Sequence, residues 1–305
     1  MIRSFLFVPG DSDKKLARSA GSEADAIIID LEDAVTPSSR PAARARAAEF
    51  LAGPCAPERW VRINPLGTDD AVADLRAVMP AAPAGIVLPK PEGADAVRRL
   101  AALLDAFEAE HGRAPGTTRI LPIVTERPAA LFRLGDYAGA SSRLAGLTWG
   151  AEDLSAALGA STNRDDAGRW LPPYELARSL CLVAAAAAEV PAIDTVYTNF
   201  RDRDGLAQYV AAAGRDGFSG MLAIHPDQVP VINAALQPSP EQIRQAERLV
   251  ALFAEHPAAG ALQLDGRMVD RPHLLRAERV LALAARQDKR QVRRPRTDTP
   301  GSRNQ

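Results

Sequence analysis

Short apolar runs, each followed by polar or charged residues, recur along the chain. Eight of them can be counted, at residues 5–8, 26–31, 60–63, 85–88, 120–124, 144–149, 193–197 and 221–224. Several are rich in Ile and Val, as strands buried in a parallel sheet are. Segments with helical spacing, such as 40–51 and 94–107, lie between the runs. This alternation predicts an α/β fold built of βα units, and eight units favour a closed TIM (β/α)8 barrel over an open doubly wound sheet.

The last part of the chain has a different pattern. Two further segments of helical spacing, 240–255 and 272–286, follow the eighth run and are joined by a glycine-containing connection at 260–270. We therefore expect a barrel domain over residues 1–237 and a C-terminal helical extension over residues 238–287. Residues 288–305 contain Pro, Gly and many Arg without an apolar period, which predicts a disordered basic tail.

Composition narrows the class of protein. The 305 residues are 47% hydrophobic and 25% charged with a formal net charge of -1, which is unlike a surface built to hold nucleic acid. The longest apolar stretch, 180–190, is too short to span a bilayer, so we expect no membrane partner. Cys55 and Cys181 form no CxxC pair and no targeting segment is visible, which predicts a cytoplasmic protein.

Several common cofactor and catalytic motifs are missing from the sequence. There is no GxGxxG after a strand, no GxxxxGK(S/T), no GxSxG and no HExxH. We therefore expect neither a Rossmann-type cofactor nor the sites of P-loop, serine-hydrolase or zinc-protease enzymes.

Charged residues gather at the ends of the predicted strands, where the chemistry of a βα barrel is found. The main ones are Asp30, Glu32, Asp33, Arg62, Lys90, Glu126, Glu152, Asp153 and His225. Several carboxylates at one mouth repel one another, and a hard divalent cation, Mg²⁺ or Mn²⁺, would relieve the repulsion. Alternatively, the acids pair with basic side chains and helix N-termini. Arg62, inside an apolar run, can pair with Glu32 or Asp30, hold a substrate oxygen, or do both.

Eight short motifs occur in an order that resembles a known family. They are RSFLFVPG at 3–10, DLEDAV at 30–35, VRIN at 61–64, LPK at 88–90, TE at 125–126, GAEDL at 150–154, AIHP at 223–226 and GRMVDRPH at 266–273. The chain resembles the citrate lyase beta-subunit-like proteins of the HpcH/HpaI aldolase superfamily, which include malyl-CoA and citramalyl-CoA lyases. The resemblance covers nearly the whole chain, up to residue 286.

This resemblance implies a TIM barrel with a C-terminal helical extension, assembled into trimers or hexamers. It makes Glu126 and Asp153 the ligands of Mg²⁺, with Mn²⁺ as an alternative ion. It assigns Arg62 to the substrate carbonyl and the enolate, and Asp270 to the acid/base role in a neighbouring subunit, where burial would raise its pKa. Apart from the resemblance, Asp270 is explained as the N-cap of the helix that follows it.

The implied reaction is a retro-Claisen cleavage, or the reverse condensation, of a 3-hydroxyacyl-CoA such as malyl-CoA or citramalyl-CoA. Its products are acetyl-CoA and a 2-oxo acid. Glu32 and Asp30 are candidates for ordering Arg62 or water near the metal. Lys14, Lys15 and Arg18, on a predicted helix, are candidates for binding the CoA phosphates, with Lys14 and Arg18 preferred, although a solvated helix face also explains them.

Other functions remain open from the sequence. The same site could hydrolyse the thioester as a malyl-CoA thioesterase, or serve as the citryl-carrier lyase subunit of a citrate lyase complex. A non-catalytic binding protein with a tethering tail is a further alternative, and the retained Arg62, Glu126, Asp153 and Asp270 argue against it. The choice of acyl carrier is open as well, because family members commonly have Lys where this chain has Met221.

Overall fold

The computed structural model describes residues 2–293, and the side chains of residues 2–285. The chain divides into two units, one over residues 2–236 and one that begins at residue 237. The division lies one residue from the expected end of the barrel domain. Within residues 2–293, no helix is long and apolar enough to cross a membrane.

Eight parallel strands form one sheet in the first unit. They are β1 (Ser4–Pro9), β2 (Ala26–Asp30), β3 (Glu58–Arg62), β4 (Gly85–Leu88), β5 (Arg119–Pro122), β6 (Leu147–Thr148), β7 (Ala192–Asp194) and β8 (Gly220–Ala223), in the order β5-β4-β3-β2-β1-β8-β7-β6. Parallel bridges join Ile120 to Leu144 and Ile123 to Thr148 between the two edge strands. The sheet is therefore nearly closed, each strand overlaps one apolar run, and the prediction of a TIM barrel is confirmed.

Helices follow most strands and surround the sheet. They are α1 (Asp13–Ser19), α2 (Arg40–Ala52), α3 (Asp69–Val78), α4 (Ala94–Glu110), α5 (Ala151–Leu158), α6 (Pro172–Ala187), α7 (Arg203–Asp216) and α8 (Gln228–Ala235). Short 3-10 helices occur at Pro37–Ser39, Met79–Ala81 and Pro128–Tyr137, the last of which follows β5. Side-chain caps fix two helix starts, because Thr68 and Asp202 accept the backbone N–H groups of Ala71 and Gly205.

Alternation along the strands divides the core into two layers. One set of strand residues packs inside the barrel, including Phe5, Ile28, Trp60, Val87 and Leu222. The intervening residues, such as Leu6 and Ile27, pack outward with the helices. Gly85 makes room for the large Trp60 ring, since a Cβ atom at Gly85 would lie 2.2 Å from it.

The second unit contains two long helices and a hairpin. Its elements are α9 (Pro240–Glu255), β9 (Ala261–Leu264), β10 (Arg267–Asp270) and α10 (Arg271–Arg293). The region 260–270, expected to be a connection, therefore forms an antiparallel hairpin. Asp265 and Gly266 have φ angles of +50° and +76°, the positive values that a tight two-residue hairpin turn requires.

The start of the disordered tail was predicted too early in the sequence. Helix α10 continues to Arg293, so residues 288–293 are helical rather than irregular. This segment is rich in Lys, Arg and Gln, which have good helix propensity and can extend an existing helix. The rest of the expected tail, 294–305, lies outside the described residues.

Candidate active site

A cavity of about 540 Å³ lies at the carboxyl ends of the barrel strands. This is the end at which TIM barrels carry their active sites. The carboxylates in its walls are Asp30, Asp33, Glu126, Glu152 and Asp153, and its Lys and Arg residues are Lys15, Arg18 and Arg62. The predicted Asp30, Arg62, Glu126, Asp153 and Arg18 thus line one cavity.

Asp30 and Arg62 end neighbouring strands and are direct partners in the register of β2 and β3. Nε and Nη2 of Arg62 donate to the two carboxylate oxygens of Asp30 at 2.7 and 2.6 Å, and Nη1 lies 3.1 Å from Oε2 of Glu32. Burial alone would lower the pKa of Arg62, but these acids, with Glu126, outweigh it and raise the pKa. Arg62 therefore pairs with both acids and also faces the cavity.

Glu126 follows β5 and is only 4% exposed. Its Oε2 accepts a hydrogen bond of 2.5 Å from the backbone N–H of Lys90. Burial, followed by the charges of Asp153 and Glu32, raises the pKa of Glu126 well above its usual range, because the Lys90 N–H and Arg62 only partly offset them. The ionised carboxylate therefore lacks compensating positive charge.

Gly150 lies directly against Glu126. A Cβ atom at this position would lie 2.7 Å from Cγ of Glu126 and 3.3 Å from Cγ2 of Ile123. The Gly150 N–H also donates to Oγ1 of Thr125 at 3.1 Å. A glycine is thus needed for α5, which carries Asp153, to begin beside the end of β5. In the sequence this glycine lies between a predicted strand and a predicted helix, and no role was predicted for it.

Lys90 links the two acids expected to bind a cation. It lies between two prolines with a φ of +51°, a left-handed conformation that is costly for a residue other than glycine. Its Nζ lies 2.8 Å from Glu32, 2.9 Å from Asp33 and 3.2 Å from Asp153. Burial alone would lower the pKa of Lys90, but hydrogen bonds to Glu32 and Asp33 raise it. From the sequence, Lys90 was a charged residue at a strand end that could pair with the acids, whereas its left-handed backbone is visible only in three dimensions.

The carboxylates of Glu126 and Asp153 fit a hard divalent cation. They line the same cavity, and the charge of Asp153 raises the pKa of Glu126. Mg²⁺ is usually held by one or two carboxylates, with waters and substrate oxygens completing its coordination. Among the side chains of residues 2–285, no three or more His, Cys, Asp or Glu form a metal site by themselves. A cation here would supply the positive charge that buried Glu126 lacks.

The basic residues of α1 divide between the cavity and the surface. Arg18 and Lys15 line the cavity, whereas Lys14 is exposed and is absent from the lining. Lys14, Lys15 and Arg18 were candidates because all three lie on one predicted helix. Helix α1 brings two of them, Lys15 and Arg18, to the wall of the cavity.

Asp270 ends β10 in the second unit, and every residue that lines the cavity belongs to the first unit. The Asp270 side chain is 34% exposed and contacts Nδ1 of His273 through a short hydrogen bond. This hydrogen bond lowers the pKa of Asp270. The sequence-based hypothesis was that burial in a subunit interface raises the pKa of Asp270. In the single chain the pKa of Asp270 is lowered instead.

Met221 lies in β8, at the place where the resemblance described above implies a lysine. Its side chain is 1% exposed and packs in the layer between sheet and helices. The next residue, Leu222, points to the other face and lines the cavity. Met221 therefore contributes to the core, and the substitution leaves the cavity walls as they are.

Comparison with known proteins shows the family to which the chain belongs. The sequence profile of the HpcH/HpaI aldolase/citrate lyase family matches residues 3–226. Citrate lyase subunit beta of Haemophilus influenzae is 35% identical over 286 residues, covering 92% of this chain and 96% of that protein. The mitochondrial citramalyl-CoA lyase of Rattus norvegicus is 33% identical, covering 92% and 86%, respectively. A (3S)-malyl-CoA thioesterase of Cereibacter sphaeroides is 34% identical, covering 92% and 94%.

A solved structure is similar over the same length. The crystal structure of protein CitE from Mycobacterium tuberculosis, in complex with magnesium, acetoacetate and coenzyme A, has a TM-score of 0.77 and 35% identity. The similarity covers 93% of this chain and 98% of that one. The chain belongs to the HpcH/HpaI aldolase/citrate lyase family. The resemblance stated from eight motifs is confirmed, and with it the expectation of an enzyme of this family.

Proposed function

We propose that the protein is a Mg²⁺-dependent lyase that cleaves a 3-hydroxyacyl-CoA to acetyl-CoA and a 2-oxo acid, or condenses the two. The observation that carries this proposal is the buried Glu126 carboxylate, which shares one cavity with Asp153 and the doubly paired Arg62. The names of the relatives add support, because they include a citramalyl-CoA lyase and a structure containing magnesium and coenzyme A.

Glu126 and Asp153 would hold the ion, Mg²⁺ or Mn²⁺. When bound, the ion supplies Lewis-acid stabilisation to the carboxylate and hydroxyl oxygens of the substrate. The chain itself fixes the positions of the two ligands. Gly150 allows their close approach, and the backbone N–H of Lys90 holds one oxygen of Glu126.

Arg62 would hold the thioester oxygen on which enolate charge develops. A guanidinium carries five N–H groups. Nε and Nη2 each donate to Asp30, and Nη1 contacts Glu32, so one N–H remains on each terminal nitrogen. Because Asp30 fixes the guanidinium beforehand, no reorganisation is needed when the charge appears.

Asp270 of a neighbouring copy would protonate the enolate carbon, or take a proton from the acetyl methyl group in the reverse direction. The proposal therefore includes a homo-oligomer, a trimer or a hexamer. Its support is the resemblance of residues 266–273 and the partly exposed side chain of Asp270 at the end of β10. Co-expression of Arg62→Ala and Asp270→Asn chains tests it: mixed oligomers should regain activity that neither variant has alone. If they stay inactive, sharing of the site is contradicted.

Basic side chains of α1 would meet the phosphates of CoA. Arg18 and Lys15 line the cavity, and the exposed Lys14 is on the same helix. We also propose a cytoplasmic location, with Cys55 and Cys181 remaining as free thiols in a reducing compartment.

The test of the function is a product analysis. Pure protein is incubated with malyl-CoA, citramalyl-CoA or citryl-CoA, with Mg²⁺ or with EDTA, and the products are read by mass spectrometry. Mg²⁺-dependent acetyl-CoA and a 2-oxo acid support the lyase, and Glu126→Gln serves as the inactive control. Free CoA in place of acetyl-CoA would make the protein a thioesterase. Unchanged substrates would contradict the proposal and favour a carrier-dependent citrate lyase subunit or a binding protein.

A further inference from the structure

The floor of the cavity is apolar. Phe7, Ile123, Val196 and Leu222 line the cavity and also belong to the packed interior of the barrel. The barrel core therefore ends as a hydrocarbon surface at the base of the site. A substituent of the substrate that points into the barrel meets this surface.

The apolar floor lies next to the reacting groups. Gly150 lies between the floor and Glu126. A Cβ atom at Gly150 would be 3.3 Å from Ile123 and 2.7 Å from Glu126. On the other side, the guanidinium carbon of Arg62 lies 4.8 Å from the centre of the Phe7 ring. A carbon held between Glu126 and Arg62 therefore has Ile123 and Phe7 as its neighbours.

Each positively charged side chain of the cavity already has a proposed or an observed partner, because Lys15 and Arg18 would meet the CoA phosphates. The Lys and Arg residues that line the cavity are Lys15, Arg18 and Arg62. Lys15 and Arg18 lie on α1, whereas Arg62 is held by Asp30 and Glu32. The proposed cation would be shared by Glu126, Asp153 and the first carboxylate and hydroxyl of the substrate. A second carboxylate that points to the floor would thus face hydrocarbon, which is costly for an unpaired charge.

We propose that this site selects a 2-oxo acid with a small uncharged substituent and disfavours one with a second carboxylate. The preferred thioester is then citramalyl-CoA, which yields pyruvate, with malyl-CoA next and citryl-CoA last. This inference rests on the proposed lyase function. The relatives of the chain include both citramalyl-CoA lyases and citrate lyase subunits, and this selectivity would place the chain with the former.

The size of each preference follows from the group that differs. A methyl group buried against an apolar wall changes kcat/KM by about tenfold or somewhat more, which sets pyruvate above glyoxylate. An unpaired carboxylate in the same place costs more, so citryl-CoA should be slower than citramalyl-CoA by at least about 100-fold.

The experiment compares kcat/KM for the three thioesters with the wild-type full-length chain and Mg²⁺. The expected order is citramalyl-CoA, malyl-CoA, citryl-CoA, and equal or faster cleavage of citryl-CoA overturns the inference while leaving the lyase function intact. Calorimetry of the binding of free pyruvate and of free oxaloacetate, each with Mg²⁺, tests the selectivity without turnover. If no thioester is cleaved but pyruvate binds more tightly, the lyase function fails and the selectivity stands. Tighter binding of oxaloacetate overturns the selectivity.

A matched pair of variants tests the cause. Val196 is half-buried at the edge of the floor, where a new side chain disturbs packing less than one deeper in the barrel. Val196→Lys adds a cation, and Val196→Met adds similar length without charge. We expect Lys to raise the ratio of citryl-CoA to citramalyl-CoA cleavage by about tenfold relative to Met. The same ratio in both variants would mean that charge at the floor does not set the selectivity.

Discussion

Two clusters of arginine and acid lie at opposite ends of the barrel strands and use their charges differently. Glu108 sits before β5 and is fully buried, yet it accepts the N–H groups of Gly116 and Thr118 and two hydrogen bonds from Arg143, at 2.6 to 2.9 Å. Burial would raise the pKa of Glu108, but these donors lower it to about 2. At the carboxyl ends of the strands, Glu126 has its pKa raised instead.

The opposite pKa directions distinguish the Glu108 cluster, which is structural, from the Glu126 cluster, the proposed active site. The cluster of Glu108 is saturated with donors, so each charge stabilises the fold. The cluster of Glu126 has more carboxylates than cations, since Arg62 and Lys90 face Asp30, Glu32, Asp33, Glu126 and Asp153. Such unmet charge costs stability and suits a site that binds a cation and substrate.

Neutralising Glu126 should have the largest effect on activity and little on folding. Glu126→Gln keeps the shape and an acceptor for the Lys90 N–H, but removes the charge that the cation needs. We expect at least about a 1,000-fold loss of turnover, with an unchanged or raised melting temperature in EDTA. Mg²⁺ should raise the melting temperature of the wild type and not of the variant. Strong destabilisation of the variant in EDTA would place Glu126 with the structural acids.

The same substitution at the other cluster should do the reverse. Glu108→Gln turns one acceptor oxygen into an N–H group that faces other donors, and it leaves the buried Arg143 with Asp105 as its remaining acidic partner. The loss of one partner of a buried pair costs about 3–5 kcal/mol. Urea denaturation in EDTA measures it, and turnover of the folded protein should stay close to that of the wild type. A cost below about 1 kcal/mol would contradict the view that Glu108 supports the fold.

The pH dependence of stability should have opposite signs at the two acids. The pKa of Glu108 falls from 4.5 in the unfolded chain to about 2 in the folded protein. Its contribution is therefore complete above pH 4.5 and is lost as pH falls towards 2. The gap in unfolding free energy between wild type and Glu108→Gln should narrow over that interval. The raised pKa of Glu126 acts the other way, so that without a cation, stability falls as pH rises above 4.5. Parallel curves for wild type and both variants would contradict the contrast.

Much of the fold was predictable because it depends on local patterns. Eight apolar runs, several of them rich in Ile and Val, predicted eight strands, and the acids at their ends predicted a candidate site. The hairpin at 260–270 was missed although Asp265 and Gly266 between apolar residues are a usual hairpin signal. The contacts of Gly150 and Lys90 could not be predicted, since they depend on how neighbouring strand ends meet. Of the three basic residues considered on α1, only the structure shows that Lys15 and Arg18 line the cavity, because the face that a helix turns to the barrel mouth depends on tertiary packing.

Lys90 gives the smallest and most specific test of the comparison. Its left-handed backbone directs the N–H to Glu126, and this conformation is tolerated by Asn but strained for β-branched residues. Lys90→Asn and Lys90→Val both lack the ammonium group, so their difference isolates the backbone. We expect Lys90→Val to need about tenfold more Mg²⁺ than Lys90→Asn for half-saturation, because 1–2 kcal/mol of strain would displace the N–H. Mg²⁺ titration followed by calorimetry measures this without turnover. Equal affinities would mean that the strained backbone does not position Glu126, and that Lys90 acts only through its charge.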